Sequence, residues 1–450
     1  MKKLLIIVLT ICMVVVAGCA TAKKPAAQNG NGTNTENGGN TVIDHTTKPG
    51  EYADGVIGEN KSESSEHGDG IVPGSVYDKD GKIRYDSGYA TEAMPAVDID
   101  YGEYPVDVYV PEPVYPGGIE DGQITAGTLT AGEIKDLDDL AHWLTLWNEA
   151  SWDNVKKARG LNVENVIAVK AAPMAEVKLI DGDNTLYTAV ADIYGNAYLL
   201  YKAADNGKAA AVVSGSDRKE LTLAPGAVVE LTQAQAVSAA KLDLMLMIDT
   251  TGSMGDELEY IKVELKDVIE RVRKEQNIDI RISVNFYRDE GDEYIVKYYD
   301  FRENIDDCVA ILSEQYSNGG GDYPEAVHTA INNVLQHNWR QDAVKLCFFV
   351  LDAPPHSEDE IQSINAGMLK DVESMAAQGI RFISVVSSGA DSDVEVLMRS
   401  FAVMTGGTYL FLTNDSGIGG DHQEPTDTQY EIEPLNDCMV RVIKDYVFAK

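Results

Sequence analysis

The sequence predicts an α/β protein: a mostly parallel sheet with helices on both faces, preceded by a small β-sandwich and a disordered tether. Three observations carry this. From residue 241 onward, apolar strand-like runs such as "KLDLMLMID" and "AVKLCFFVLDA" alternate with amphipathic runs at helical spacing, the pattern of a parallel sheet covered on both sides. Residues 163–236 instead alternate apolar and polar side chains between turn signals such as "DGDN" and "DIYGN", which suits short antiparallel strands. Residues 20–75 are rich in Gly, Asn, Thr, Ser, Glu and Lys, as in "NGNGTNTENGGNT", and lack the apolar periodicity a core requires.

The chain has 450 residues, 44% of them hydrophobic, enough apolar material for more than one core. The formal net charge is -36. Phosphate binding needs clustered Lys and Arg, so nucleic acid is excluded as an expected partner. A strongly acidic chain is instead compatible with divalent-cation sites.

Residues 1–19 read as an export signal. Lys2 and Lys3 precede an apolar run from Leu4 to Ala17, too short to span a bilayer comfortably. The run ends in "VAGC" at Cys19, which resembles the lipobox of bacterial lipoproteins. The resemblance implies that Cys19 is the lipidated first residue of the mature chain. The protein would then be extracytoplasmic and held on the cell membrane by acyl chains. Cys12 leaves with the signal. Cys308, Cys347 and Cys438 remain, with no CxxC spacing, so no zinc framework is indicated. Cys347 lies in an apolar strand and reads as core; a Cys308–Cys438 bridge stays open.

Residues 76–162 read as an extended lead-in with one short helix, on which Leu137, Leu140, Leu144 and Trp147 recur at helical spacing. The tryptophans there read as packing anchors. Residues 163–236 resemble the carboxypeptidase regulatory-like β-sandwich of bacterial surface proteins, a spacer or docking module. In residues 241–448 the expected helices include "GDELEYIKVELKDVIERVRKEQ", with Leu258, Ile261, Leu265, Val268 and Val272 on one face. Others are "RENIDDCVAILSEQ", "PEAVHTAINNVLQ", a segment ending at Gly379, one around 391–404 and one over 432–448. The remaining strands are "IDIRISVNFYRD", its neighbour "EYIVKYYDF", "IRFISVVSS" and "TYLFLT".

Open α/β sheets place their sites beyond the carboxyl ends of strands. Three loops there bring hard oxygen donors: Asp249, Thr251 and Ser253 in "DTTGS", Asp322 in "GGGDYPE", and Asp352 after "LCFFVLD". Carboxylates and hydroxyls without His or Cys suit Mg2+ or Mn2+. In a tight loop, alternate residues aim at one point, and Gly252 permits the turn.

These residues make residues 241–448 resemble a von Willebrand factor type A (VWA) domain with a metal-ion-dependent adhesion site. The family's first loop reads D-x-S/T-x-S, matched by Asp249, Thr251 and Ser253. Its second loop supplies Thr, or Asp in a bacterial-type "GGGDxPE" variant matched by Asp322. Its third loop supplies the Asp matched by Asp352. The "YRD" of "FYRDEGDEY" also matches that variant, and Asp289 within it is a possible supporting residue behind the ligands. Asp322 in place of Thr adds negative charge, so the ion would be less electrophilic toward a partner carboxylate. Asp292 reads as a solvated loop acid, Glu325 as a favourable charge in a first helical turn, and His356 as a surface residue.

The resemblance implies a non-enzymatic module that binds a protein or glycan partner through the ion. One alternative is a structural or assembly factor of the cell envelope. A Mg2+-dependent phosphohydrolase is disfavoured: the haloacid-dehalogenase pattern needs a second Asp where this chain has Thr251. "DTTGS" likewise departs from the aspartic-protease "DTGS" by its extra Thr.

Overall fold

The computed structural model describes residues 55–57, 76–77, 83–84, 124–232, 235–275, 278–427 and 429–450. The export signal, Cys12 and Cys19 lie outside the described residues, as does most of the stretch read as a tether.

Among the described residues, nine strands form the main sheet. In spatial order they are Gly55–Ile57, Val296–Tyr298, Asp279–Tyr287, Lys241–Asp249, Val344–Leu351, Ile380–Val386, Thr408–Leu412, Thr130–Ile134 and Ile432–Pro434. The central five run parallel, and the outer strands join antiparallel. Alternation along Lys241–Asp249 splits the core in two. Met245 and Met247 face the layer containing Val327, Ile331 and Phe401. Leu244, Leu246 and Ile248 face the layer containing Ile261, Leu265, Met439 and Ile443. Both faces are therefore buried, which explains why these strands read as continuous apolar runs.

The expected helices are present: Leu258–Arg273, Ile305–Ser313, Val327–Val334, Ile364–Gln378, Ser392–Thr405 and Leu435–Val447. The apolar stripe of Leu258–Arg273 is buried as its spacing requires. Gly379 ends the fourth helix in the left-handed region. A Cβ there would stand 2.8 Å from the Val190 side chain, where the helix meets the inserted strands. Cys308, Cys347 and Cys438 are all buried free thiols. No helix among the described residues is long and apolar enough to cross a membrane.

The lead-in is not peripheral. Thr130–Ile134 is a strand of the main sheet, wedged between Thr408–Leu412 and Ile432–Pro434. Upstream of it, the Glu264 carboxylate accepts hydrogen bonds from the backbone N–H groups of Gly127, Thr128 and Leu129 at 2.7–3.0 Å. The helix Leu140–Trp147 follows. Trp143 and Trp147 pack together and against Trp152, with ring centroids 5.3–6.3 Å apart. Two small sheets of four and three strands come next, built from residues 166–230. They share the core of the main sheet's adjoining face. The small β domain is thus inserted between two strands of the larger one.

The helix Ser392–Thr405 is packed between the main sheet and the inserted region with its lead-in, and is buried from Val394 to Thr405. A buried polar knot lies there. Arg399 donates to Asp136 through Nε at 3.0 Å and Nη2 at 2.5 Å, and through Nη1 to Glu395 at 2.8 Å. Its guanidinium also lies over the rings of Trp143 and Trp152. Glu395 accepts further bonds from the Thr426 N–H and hydroxyl. Removing one member of a buried ionic group leaves uncompensated charge, typically about 3–5 kcal/mol. Arg399→Met should therefore cost about 3–5 kcal/mol, read as a lowered urea midpoint, while Arg441→Met at a half-exposed pair should cost far less.

Candidate metal centre

The carboxyl end of the Lys241–Asp249 strand places Asp249 fully buried. One of its oxygens, Oδ1, accepts from the Thr251 N–H at 2.8 Å and the Thr251 hydroxyl at 2.7 Å. The other, Oδ2, has no hydrogen-bond partner among the described residues. Asp352, after the neighbouring Val344–Leu351 strand, is 3% exposed and leaves Oδ1 equally unpartnered. The Ser253 hydroxyl stands 3.2 Å from that of Thr251 and bears on the Asp352 carboxylate. Ser253 itself is exposed.

A third buried carboxylate belongs to Glu325, 2% exposed, with Oε2 unpartnered. Its place after Pro324 predicts a helical first turn. Its N–H instead donates to the Pro354 carbonyl at 2.9 Å, and it forms a bridge with Pro355. This extended pairing delays the helix to Val327 and turns the carboxylate inward. Asp322 is exposed and groups with His356 and Glu360. The second loop thus turns Glu325 inward and Asp322 outward. The signal for Glu325 was present in "GGGDYPE", but a Glu after Pro at a helix start has an ordinary explanation.

Burial, then the neighbouring Asp249, Asp289 and Asp352, push the Glu325 carboxyl up to about 10. Burial also raises Asp249, against the pull of its Thr251 hydrogen bonds. Asp352 is raised by burial and by Asp249. Three carboxylates that resist ionising beside one another, each with an oxygen unpartnered among the described residues, have the chemistry that could hold a hard divalent cation. Thr251 and Ser253 add hydroxyl oxygens. Asp249, Asp352, Glu325, Thr251 and Ser253 are therefore the residues that fit Mg2+ or Mn2+.

The end of the Asp279–Tyr287 strand organises the loops. The Tyr287 hydroxyl is buried beside Asp249. Arg288, 1% exposed, donates from Nε to the Thr250 carbonyl at 3.1 Å and from Nη2 to the Tyr316 carbonyl at 3.0 Å. Its guanidinium lies over the rings of Tyr294 and Tyr316. Asp289 is buried and accepts from or shares a proton with His356 Nε2 at 2.7 Å. His356 is therefore buried, not on the surface as the sequence suggested, because Asp289 satisfies it. Asp292 is likewise no free loop acid: its Oδ2 accepts from the Asp289 and Gly320 N–H groups at 3.1 and 2.9 Å. Gly319 and Gly320 both have positive φ, and a Cβ on Gly319 would lie 2.3 Å from the Asp292 carboxylate. From the lead-in, Arg159 donates to the carbonyls of Pro355 and His356 at 2.8 and 2.6 Å.

Residues 243–414 match the family model of the von Willebrand factor A domain. A putative ariadne-like RING finger protein of Acanthamoeba polyphaga mimivirus is 28% identical over 197 residues, covering 40% of this chain and 19% of that protein. The alpha-protein kinase vwkA of Dictyostelium discoideum is 27% identical over 128 residues, covering 28% and 20% respectively. The chain spans about a fifth of the length of these relatives. An aerotolerance-related membrane protein from Bacteroides fragilis aligns over 46% of this chain and 98% of that one, at 12% identity and a TM-score of 0.29. A VWA domain therefore occupies residues 243–414.

A raised carboxyl pKa has a definite consequence for stability. The folded, metal-free state holds protons that the unfolded chain releases near 4.5. The contribution of Glu325 is thus full below about pH 4.5 and lost as pH rises toward about 10. The metal-free protein should lose thermal stability across that window, and Mg2+ should restore most at the alkaline end. Glu325→Gln should flatten the slope and weaken Mg2+ binding. Melting curves from pH 5 to 9, with chelator and with Mg2+, check both; an unchanged slope in the variant would refute this role.

Proposed function

We propose that this protein is a non-enzymatic binding module that engages a protein or glycan partner through a divalent cation, Mg2+ or Mn2+, while anchored to the outer side of a cell membrane by lipid on Cys19. The observation that carries the reading is the trio of unpartnered buried oxygens on Asp249, Asp352 and Glu325. Such oxygens are costly without a partner, and a cation is the partner that would satisfy all of them at once. The exposed Ser253 beside this trio marks the side open to solvent, where a bound ion would retain positions for water or for a partner's oxygen. The Thr251 hydroxyl is engaged with Asp249, which supports holding an ion rather than attacking a substrate. The lipid anchor rests on "VAGC" at residues 16–19.

Calorimetry with Mg2+ and Mn2+ on the mature chain, residues 20–450, tests the ion. Saturable binding that Asp249→Ala abolishes, with the variant's melting curve still cooperative, is expected. Partner capture should then be lost with chelator and in Asp249→Ala alike; chelator-insensitive capture overturns the reading. For the anchor, metabolic labelling with a fatty-acid analogue should tag the wild type and not Cys19→Ser, and the variant should leave the membrane fraction.

A further inference from the structure

Beside the carboxylate trio lies a second group of different chemistry. One ligand atom from each of Asp322, His356 and Glu360 lies within 4.8 Å of the other two. We propose that these three residues form a second, separate cation site, for Zn2+ or a similar borderline metal, next to the Mg2+ site.

The first argument is the orientation of His356. It is 8% exposed, and its Nε2 is engaged by Asp289 at 2.7 Å. With Nε2 engaged by that carboxylate, Nδ1 is the nitrogen that faces Glu360, 3.6 Å away. This is the arrangement of metal-binding histidines, whose other ring nitrogen is held by a carboxylate that fixes tautomer and ring angle.

The second argument is spacing. His356 Nδ1 stands 3.6 Å from Glu360 Oε2, too far for a hydrogen bond. Two ligand atoms each about 2.1 Å from one ion at a tetrahedral angle stand about 3.4 Å apart. The gap is thus near the one that an ion between them requires. Glu360 is not free to swing, since its Oε2 accepts from the Ser357 N–H at 2.6 Å.

The third argument is ligand type. One imidazole nitrogen with two carboxylates favours Zn2+ over Mg2+, whereas the all-oxygen trio favours Mg2+. Three protein ligands leave a fourth position open to water or to an incoming group. Asp322 ends the glycine loop, while His356 and Glu360 follow the Asp352 strand. An ion here would cross-link the two segments that carry Glu325 and Asp352.

The test is Zn2+ titration of the mature chain in saturating Mg2+, followed by calorimetry. Wild type and Asp249→Ala should bind one Zn2+ alike, which keeps this site distinct from the first. Glu360→Ala and Asp322→Ala, both at exposed positions, should lose binding. Asp289→Asn should weaken it roughly 10- to 100-fold, as loss of an outer partner does. Mg2+ binding in Glu360→Ala should be unchanged. The proposal is overturned if wild type shows no saturable Zn2+ binding, if Glu360→Ala and Asp322→Ala bind Zn2+ like wild type, or if Asp249→Ala removes it. A failure of Mg2+ binding alone would count against the proposed function and leave the Zn2+ result to be read by itself.

Discussion

Three buried carboxylates lie at the carboxyl edge of the sheet, and each keeps one oxygen without a partner among the described residues. Few arrangements are less comfortable for a folded chain. A buried carboxylate resists ionisation, and neighbouring ones resist further. The fold tolerates this because each carboxylate is fixed by backbone that has little freedom to relax. Asp249 and Asp352 end adjacent parallel strands, and Glu325 is pinned by pairing with Pro354 and Pro355. The three carboxylates are thus held in place by the backbone, and a cation bound among them would require little rearrangement.

The loops around these carboxylates depend on three consecutive residues. Tyr287 ends one strand and Arg288 and Asp289 follow it, and each is spent on a different neighbour. Tyr287 bears on Asp249, Arg288 ties the Thr250 loop to the Tyr316 loop, and Asp289 secures His356. Arg288 is buried and bonds to the carbonyl oxygens of Thr250 and Tyr316, while the Glu293 carboxylate stands farther off at 3.6 Å. Its guanidinium therefore serves as a rigid fork between loops, a role its planar geometry suits.

The support extends beyond the family-matched residues. The strand Thr130–Ile134 completes the sheet, Glu264 caps the segment leading into it, and Arg159 reaches the carbonyls beside His356. The inserted β domain and the lead-in thus hold the VWA domain from one side. The linear order of domains expected from the sequence gives way to an insertion, since the sheet needs Thr130–Ile134 to cover the backbone edge of Thr408–Leu412.

Much of this was legible in the sequence because it is local. Apolar runs at residues 241–249, 344–351 and 380–386 announce strands buried on both faces, and the stripe from Leu258 to Val272 announces a helix. Asp249, Thr251, Ser253 and Asp352 are readable because a strand end fixes where the next residues point. The second loop is different. Asp322 and Glu325 are three residues apart, and nothing in their spacing says which one turns inward. A backbone pairing with Pro354 and Pro355, close in space but some thirty residues away in sequence, decides it. Likewise His356 is isolated in sequence, and only Asp289, far away in the chain, makes it a buried and oriented ring. The same holds for Thr130–Ile134, whose short run of mixed residues carries no signal for the sheet it joins. Periodicity and motif order therefore determined the fold class and the first and third loops. Long-range hydrogen bonds, which no local pattern encodes, decided the second loop, the setting of His356 and the insertion of the small domain.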